Sequence, residues 1–389
     1  MDPSPSDLAA PVDAVAATVP SRRVATSEQV EYEVRWCAGF DATIAALERE
    51  LGGRTSLWVT TPTPHRLHAE TFFGPATTRL APRDVRVLEC SERHKRLAEV
   101  ERVCSWAQQA ELGRDSVLVA IGGGVSSDIV TVAASLLRRG IAHIRVPTTL
   151  LGQVDAAVGA KGAVNFGERK NSLGCFHPAK AVLLEPRFLA TLRPRELRSG
   201  LAEVFKAALA VDGELFATLE RSGPEFVRDP ATLTEPELRA IVWRAAVCML
   251  DELEPNLYER RTFVRRMDFA HTFGPLLEVA AAYELTHGES VAIDAALCCV
   301  LASELGWLTD GDLERALSLM ARLGLPRHHP LVDLGLCEAA LEESIRHRGG
   351  QLLLFLPTGI GAVACLRDRS ALSRDVLVRS LARWYEHCA

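Results

Sequence analysis

Short β-rich runs alternate with helical stretches, a glycine-rich turn joins one such run to the next helix, and helical periodicity takes over in the second half. Together these predict an α/β plus α fold: an N-terminal Rossmann-like parallel-sheet domain followed by a C-terminal helical domain. The 389 residues suffice for one large or two ordinary domains, and 48% hydrophobic with 24% charged residues is globular composition that excludes bulk disorder. Lys and Arg number 44 against 50 Asp and Glu, for a net charge of -6 without a basic run, so no nucleic-acid partner is expected and any anionic ligand must meet a local site.

The elements follow in order. Residues 1–28, rich in Ala, Pro, Ser and Val without periodicity, are expected to be a flexible tail. An α/β domain of nucleotide-binding type is expected over 29–190, from the runs SLWVTT (56–61), VRVLE (85–89), SVLVAIGGG (116–124), AHIRVP (142–147) and AVLLEP (181–186), with helices over 93–110 and 125–140 between them. The stretch 151–180 reads as a loop region. A helical domain is expected over 191–389, from helical spacing at 194–220, 231–253 and 288–306, with a small-molecule site in the cleft between the halves. The longest apolar stretches, such as LLLFL (352–356), fall far short of a membrane span, so no membrane is expected. Ten scattered cysteines without a C-x-x-C pair, and an N-terminus lacking a basic n-region, point to reduced thiols in a cytoplasmic protein.

Three groups of residues could carry chemistry. Gly122-Gly123-Gly124-Val125-x-x-Asp128 follows an apolar strand and opens a helix, so a phosphate could approach backbone N–H groups at the helix N-terminus. The same glycines equally serve a tight turn, and the run is not a G-x-G-x-x-G fingerprint. Thr148 and Thr149 would add hydroxyls on the same sheet edge, and Glu92 and Lys95 could hold a ribose or adenine; each alone also reads as a surface residue or cap. Glu203, His271 and His287 offer one carboxylate and two imidazoles, a set suited to zinc with an open position, although a capped or core histidine explains any one of 11 histidines. Asp155, Lys161, Asn165, Lys170, Asn171 and Lys206 are dense in amines and amides that could bind phosphate and hydroxyls; a solvated loop, and a surface Glu203–Lys206 pair at i, i+3, are the bland alternatives.

Read in order, IGGGVSSDIVTVAASLLRRG, VPTTLLGQVDAAVGAKGAVNFGERKNSLGCFHP, LRSGLAEVFKAAL, MDFAHTFGP and LTHGESVAIDAAL resemble the sugar phosphate cyclase superfamily, whose founding member is 3-dehydroquinate synthase, over about residues 85–365. The resemblance implies a dehydroquinate synthase-like fold, bound NAD, a divalent metal (zinc or cobalt) and a homodimer acting on a small-molecule sugar phosphate. Carried over by position, it puts NAD on Glu92, Lys95, Gly123, Gly124, Asp128, Thr148 and Thr149, and the metal on Glu203, His271 and His287. It assigns substrate and proton transfer to Asp155, Lys161, Asn171 and Lys206, with Lys170 nearby and Arg139 reaching the partner subunit's phosphate site. The family's early NAD-binding Asp has no counterpart in VTTPTPH, where Thr61 or Thr63 stands instead.

Departures from dehydroquinate synthase separate the branches. Its Lys, Arg and Asn are here Leu250, Val264 and Asp268, and the second His of H-x-x-x-H is Pro275. Two cations are lost and an anion gained, so a substrate carboxylate would meet like charge beside Asp268, and a substrate without one is implied. These changes, with LDELEPNLYE, VAIDAAL and HRGGQLLLFLPTGIG, resemble the 2-epi-5-epi-valiolone synthase branch, which cyclises sedoheptulose 7-phosphate for C7-cyclitol natural products. The expected reaction is transient NAD oxidation, phosphate elimination, re-reduction and intramolecular aldol closure, with Asp268 accepting from the polyol. Gly274 stands where the branch usually has Ser, which leaves the product epimer open. The competing expectations are 3-dehydroquinate synthase itself and a metal-dependent polyol dehydrogenase.

Overall fold

The computed structural model describes residues 29–167, 169–261 and 264–388. The expected tail over 1–28 lies outside the described residues, and from Tyr32 onward the chain forms one compact unit. Its main sheet comprises β1 (Glu33–Trp36), β2 (Ser56–Thr60), β3 (Asp84–Val87), β4 (Val117–Gly122) and β5 (Ala142–Pro147), then β8 (Ala181–Leu184) after a separate hairpin of β6 (Lys161–Phe166) and β7 (Arg169–Phe176). All six strands are parallel, in the order β1-β8-β5-β4-β2-β3. Helices α1 (Phe40–Leu51), α2 (Pro62–Leu67), α3 (Gly74–Leu80), α4 (Leu97–Gln109) and α5 (Gly124–Leu136) connect them.

β4 shows why its sequence is apolar throughout. Val117, Val119 and Ile121 pack with Ile44 and Leu47 of α1, whereas Leu118 and Ala120 pack with Val100 and Val103 of α4 and Ile129 and Val130 of α5. A strand covered on both faces has no polar side to display.

The second half contains α6 (Pro194–Val211), α7 (Gly213–Arg228), α8 (Glu235–Leu238), α9 (Arg244–Leu253), α10 (Gly274–Ala280), α11 (His287–Glu304), α12 (Asp310–Arg322), α13 (Leu334–His347) and α14 (Arg374–Cys388). α11 is buried on all sides, as a helix apolar around its whole circumference must be. It lies against α6 at a point that admits no side chain: a Cβ on Gly288 would fall 1.9 Å from the Ser199 carbonyl oxygen, and the Gly288 N–H donates to Ser199 Oγ at 3.1 Å. That approach sets Glu203, one turn beyond Ser199, beside His287.

Three expectations are corrected. The helix over 194–220 is two helices, because Asp212 accepts from the Glu214 and Leu215 N–H groups and starts α7 afresh. Within the loop region 151–180 lies the β6–β7 hairpin, and the helical half holds a second hairpin of β9 (Leu354–Gly359) and β10 (Ala362–Leu366). KGAVNF and RKNSLGCF carry too little apolar alternation to announce strands. All ten cysteines are unpaired, and no described helix is long and apolar enough to cross a membrane.

Candidate active site

From β2 the sheet extends to β3 on one side and to β4, β5 and β8 on the other, and crevices open at the carboxyl ends of strands where the order reverses in this way. A cleft of about 620 Å³ lies there, between the residues that follow β4 and β5 and those of α6, α9 and α11. Of the expected residues, Glu92, Lys95, Gly124, Asp128 and Asn171 line it on the sheet side. Asp155, Lys161, Lys170, Lys206, Asp268, His271 and His287 line the remainder. Glu203 lies directly behind the two histidines. Arg139 is exposed and lies outside this cleft.

Close packing keeps the glycine turn free of side chains. Gly123 caps α5 without any side-chain hydrogen bond; a Cβ there would meet Thr149 Cγ2 at 3.1 Å, and one on Gly124 would meet Ala156 at 3.0 Å. The Thr148 N–H donates to the Gly122 carbonyl at 2.9 Å, tying the tips of β4 and β5 together. Lys95 Nζ bonds Asp128 Oδ2 at 2.5 Å and Asn171 Oδ1 at 2.6 Å, and Glu92 accepts from Asn165 Nδ2 at 2.9 Å. Thr61, at the end of β2, lies 3.3 Å from where a Gly122 Cβ would be, at the strand tip where the family's Asp was sought. Bare backbone at a helix N-terminus, flanked by a lysine and carboxylates, suits a dinucleotide pyrophosphate and ribose.

The donor set on the other side fits a divalent metal. One ligand atom each from Glu203, His271 and His287 lies within 4.8 Å of the others. Both rings are oriented from behind: His287 Nδ1 by Glu278 Oε1 at 2.9 Å, and His271 Nδ1 by the Phe269 carbonyl at 3.2 Å. With Nδ1 committed as donor, each Nε2 faces Glu203 Oε1, at 3.1 Å from His287 and 3.8 Å from His271, so lone pairs converge where a cation belongs. Burial opposes charge on His287, yet its bonds to Glu203 and Glu278 raise its pKa to about 10, so that without a cation a proton on Nε2 takes the place that a metal would fill. Burial and Lys206 lower His271 to about 3, which keeps that imidazole neutral. The two rings retain 27% and 33% of their exposure, against 1% for Glu203, so the set opens toward the cleft.

Lys206 is no surface residue. Its side chain is 2% exposed and its ammonium lies 2.5 Å from Glu203 Oε2, and although burial works against the charge, Glu203 and Asp155 outweigh it and hold the proton. Burial and the Glu203 charge raise the Asp155 pKa. Asp155 sits on a wide helical turn, Gly152–Ala156, closed by the Ala157 N–H to the Gly152 carbonyl at 3.1 Å. Lys170 Nζ bonds Glu278 Oε2 at 2.5 Å, and Lys161 pairs with Glu259.

Asp268 is not the unpaired anion that the sequence suggests. Arg265, next to Val264, turns into the cleft and donates to Asp268 Oδ1 at 2.9 Å, while Arg348 stands 3.3 Å from Oδ2. Asp268 is therefore not a bare anion, and a substrate carboxylate is disfavoured because the two guanidiniums are already engaged. Gly274 likewise does not bear on substrate as the sequence suggests. A Cβ there would meet the Ser290 carbonyl at 3.2 Å and Asp294 Oδ2 at 3.4 Å, and position 274 does not line the cleft, so the missing hydroxyl would not have faced substrate.

Sequence reasoning missed Glu278, Asp294, Glu259, Arg265 and Arg348. Glu278 orients His287, accepts from Ser290 Oγ at 2.8 Å and holds Lys170; its signal was an acid lying between the two histidines in sequence. Asp294 Oδ2 accepts the consecutive N–H groups of Thr272, Phe273 and Gly274 at 2.9, 2.7 and 2.7 Å, so the helix that carries His287 also fixes the turn after His271. A lone carboxylate in the apolar run VAIDAALCC was its signal.

Comparison with known proteins agrees with this geometry. The chain is 40% identical over 346 residues to 2-epi-5-epi-valiolone synthase of Streptomyces glaucescens, covering 88% of each protein. It is 44% identical over 273 residues to the protein of that name from Streptomyces hygroscopicus subsp. jinggangensis (strain 5008), 69% of this chain and 66% of the other. The solved structure of ValA, the 2-epi-5-epi-valiolone synthase of that strain with NAD+ and Zn2+ bound, matches with a TM-score of 0.87 at 37% identity over 94% of this chain and 99% of that one. Residues 85–199 match the 3-dehydroquinate synthase N-terminal family and residues 200–345 its C-terminal counterpart; with two thirds of its length so matched, and the glycine turn and Glu-His-His trio facing one cleft, the chain belongs to the 3-dehydroquinate synthase family.

Proposed function

We propose that the chain is a 2-epi-5-epi-valiolone synthase, a lyase that cyclises sedoheptulose 7-phosphate with release of inorganic phosphate. One observation carries the reading: a turn without side chains, a Glu-His-His trio and four lysines converge on a single cleft lined also by Asp268, held by two arginines, in place of the Asn of dehydroquinate synthase. Relatives of that name match over most of the chain, which supports it.

Gly123, Gly124, Thr148 and Thr149 would hold the NAD pyrophosphate, with Glu92, Lys95 and Asp128 on its sugars; Glu203, His271 and His287 would hold zinc or cobalt. When bound, the dinucleotide supplies a reversible hydride acceptor and the metal a Lewis acid that acidifies a hydroxyl. Lys206, kept protonated by its carboxylates, serves as a fixed cation rather than a base. Asp155, its pKa raised by burial and by Glu203, can hold or release a proton at its carboxyl while bonded to a substrate hydroxyl. Asn171 has its Oδ1 taken by Lys95, leaving Nδ2 to donate. Lys161, half exposed, offers an ammonium to the phosphate; Lys170 is aimed by Glu278; Asp268 accepts polyol hydroxyls. Met249, Leu253, Leu257 and Phe176 supply an apolar wall that excludes water while the chain closes on itself. The protein is further read as a cytoplasmic homodimer, with the exposed Arg139 serving the partner subunit's phosphate site.

The test is incubation of purified protein with sedoheptulose 7-phosphate, NAD+ and Zn2+ or Co2+. Phosphate release without net NADH, and a cyclic C7 ketone matching 2-epi-5-epi-valiolone by NMR, is the expected outcome. Turnover of the carboxylated precursor of dehydroquinate instead, or stoichiometric NAD consumption by a polyol without phosphate release, would overturn it.

A further inference from the structure

Each Lys or Arg that lines the cleft already faces a carboxylate, but the pairs differ in what holds them. Lys95 and Asp128 are 7% and 16% exposed; Glu203 and Glu278, which hold Lys206 and Lys170, are 1% and 5% exposed and bonded to His287. Asp268 is shared between Arg265 and Arg348. Glu259 is likewise shared, between Lys161 and Arg265, but it is held nearer the solvent. Its carboxylate accepts from Lys161 and from Arg265, its pair with Lys161 is the most exposed of the set at 19% and 49%, and it stands on a segment without regular helix or strand. Its backbone has φ +52°, a left-handed conformation that residues with a side chain seldom adopt. The two ion pairs, and the Glu259 N–H to the Asn256 carbonyl at 2.8 Å, hold it.

We propose that the Glu259 carboxylate is an internal stand-in for the substrate phosphate: it occupies Lys161 and Arg265 until a phosphate dianion displaces it, and thereby selects phosphate over carboxylate. This rests on the reading of the cleft as a sugar-phosphate site. Charge supports the exchange. Lys161, Arg265 and Arg348 are three cations facing two carboxylates, Glu259 and Asp268; replacing the single charge of Glu259 with a dianion brings the network to neutrality. A free carboxylate carries no more charge than Glu259 and competes against a group tethered at high effective concentration, so it gains nothing by entering. A phosphate brings a second charge and a third oxygen, enough to bridge an ammonium and a guanidinium.

The test uses the NAD- and metal-loaded enzyme and its E259Q variant, titrated calorimetrically with inorganic phosphate and with acetate, alongside KM for sedoheptulose 7-phosphate. In E259Q, phosphate should bind about tenfold tighter, as expected when two partly exposed ion pairs no longer compete, acetate binding should become measurable, and KM should fall. Unchanged or weaker phosphate affinity would overturn the proposal and make Glu259 a support for Lys161. E259D, which keeps the charge, should retain the wild-type phosphate affinity within about threefold, and a shift as large as that of E259Q would also count against it. The phosphate shift without cyclisation of the sugar phosphate by either protein would remove the cyclase reading alone; normal cyclisation without the shift would remove the stand-in alone.

Discussion

The two walls of the cleft are built by different means. The turn at the centre of the dinucleotide wall is local: Gly122 to Asp128 are contiguous, and its main requirement is the absence of side chains where strand passes into helix. The metal wall is assembled from three segments, with Glu203 and His287 84 residues apart, and its three ligand atoms meet only because α6 and α11 touch at Gly288 and Asp294 secures the His271 turn. A wall of backbone amides depends on local conformation; a wall of side-chain ligands depends on helix packing. Damage to one should therefore leave the other standing.

The largest expected effect is from His271→Ala. Metal content by elemental analysis should fall to near zero and turnover by about 10³-fold or more, the several kcal/mol a Lewis acid supplies, while NAD still binds. A metal-loaded, fully active variant would end the assignment. Next comes Gly288→Ala, at a residue that follows His287 but does not itself line the cleft: its Cβ collides with backbone, so the helices must part, lowering the melting temperature and weakening metal affinity by about 100-fold, as overpacking of about 2–3 kcal/mol would do. Asp294→Asn keeps the shape but weakens the grip on three amides; metal affinity should drop about tenfold, and the visible spectrum of the Co2+ enzyme should change. On the other wall, Gly123→Val should raise the NAD dissociation constant about tenfold through its clash with Thr149 while metal content stays at wild type; a loss of metal there would mean the walls are coupled. The smallest effect is that of Gly274→Ser, whose hydroxyl would meet Ser290 and Asp294. Stability should change by less than about 1 kcal/mol, and NMR should find the same product epimer.

Legibility followed the same division. β4 and β8 were evident because double coverage by helices demands unbroken apolar runs, β2 and β5 because their apolar residues outweigh the buried polar ones in SLWVT and AHIRVP, and the glycine turn because a side chain there would clash between β4 and α5. β1 and the β6–β7 hairpin escaped, since EVRW is short and half-exposed and the hairpin lines a polar cleft. Glu203 and Lys206 at i, i+3 read as well for a surface pair as for a buried one, and burial of α6 against α11 settled which. Glu278 and Asp294 act on the histidines from behind, a role without local spacing to betray it.

The sequence by itself determined the strand–helix alternation, the turn that admits a pyrophosphate, the inventory of lysines, carboxylates and histidines, and the resemblance that ordered them. Those are properties of neighbours along the chain, where backbone propensity and side-chain volume act directly. Only the tertiary structure decided that Asp268 is held by Arg265 and Arg348, that Lys206 keeps its proton beside Glu203 and Asp155, that a side chain at 274 would turn away from the cleft, and that Glu259 bridges Lys161 and Arg265. Each depends on distances of a few ångströms between residues far apart in sequence, and Coulomb and packing energies at that range are set by how helices meet.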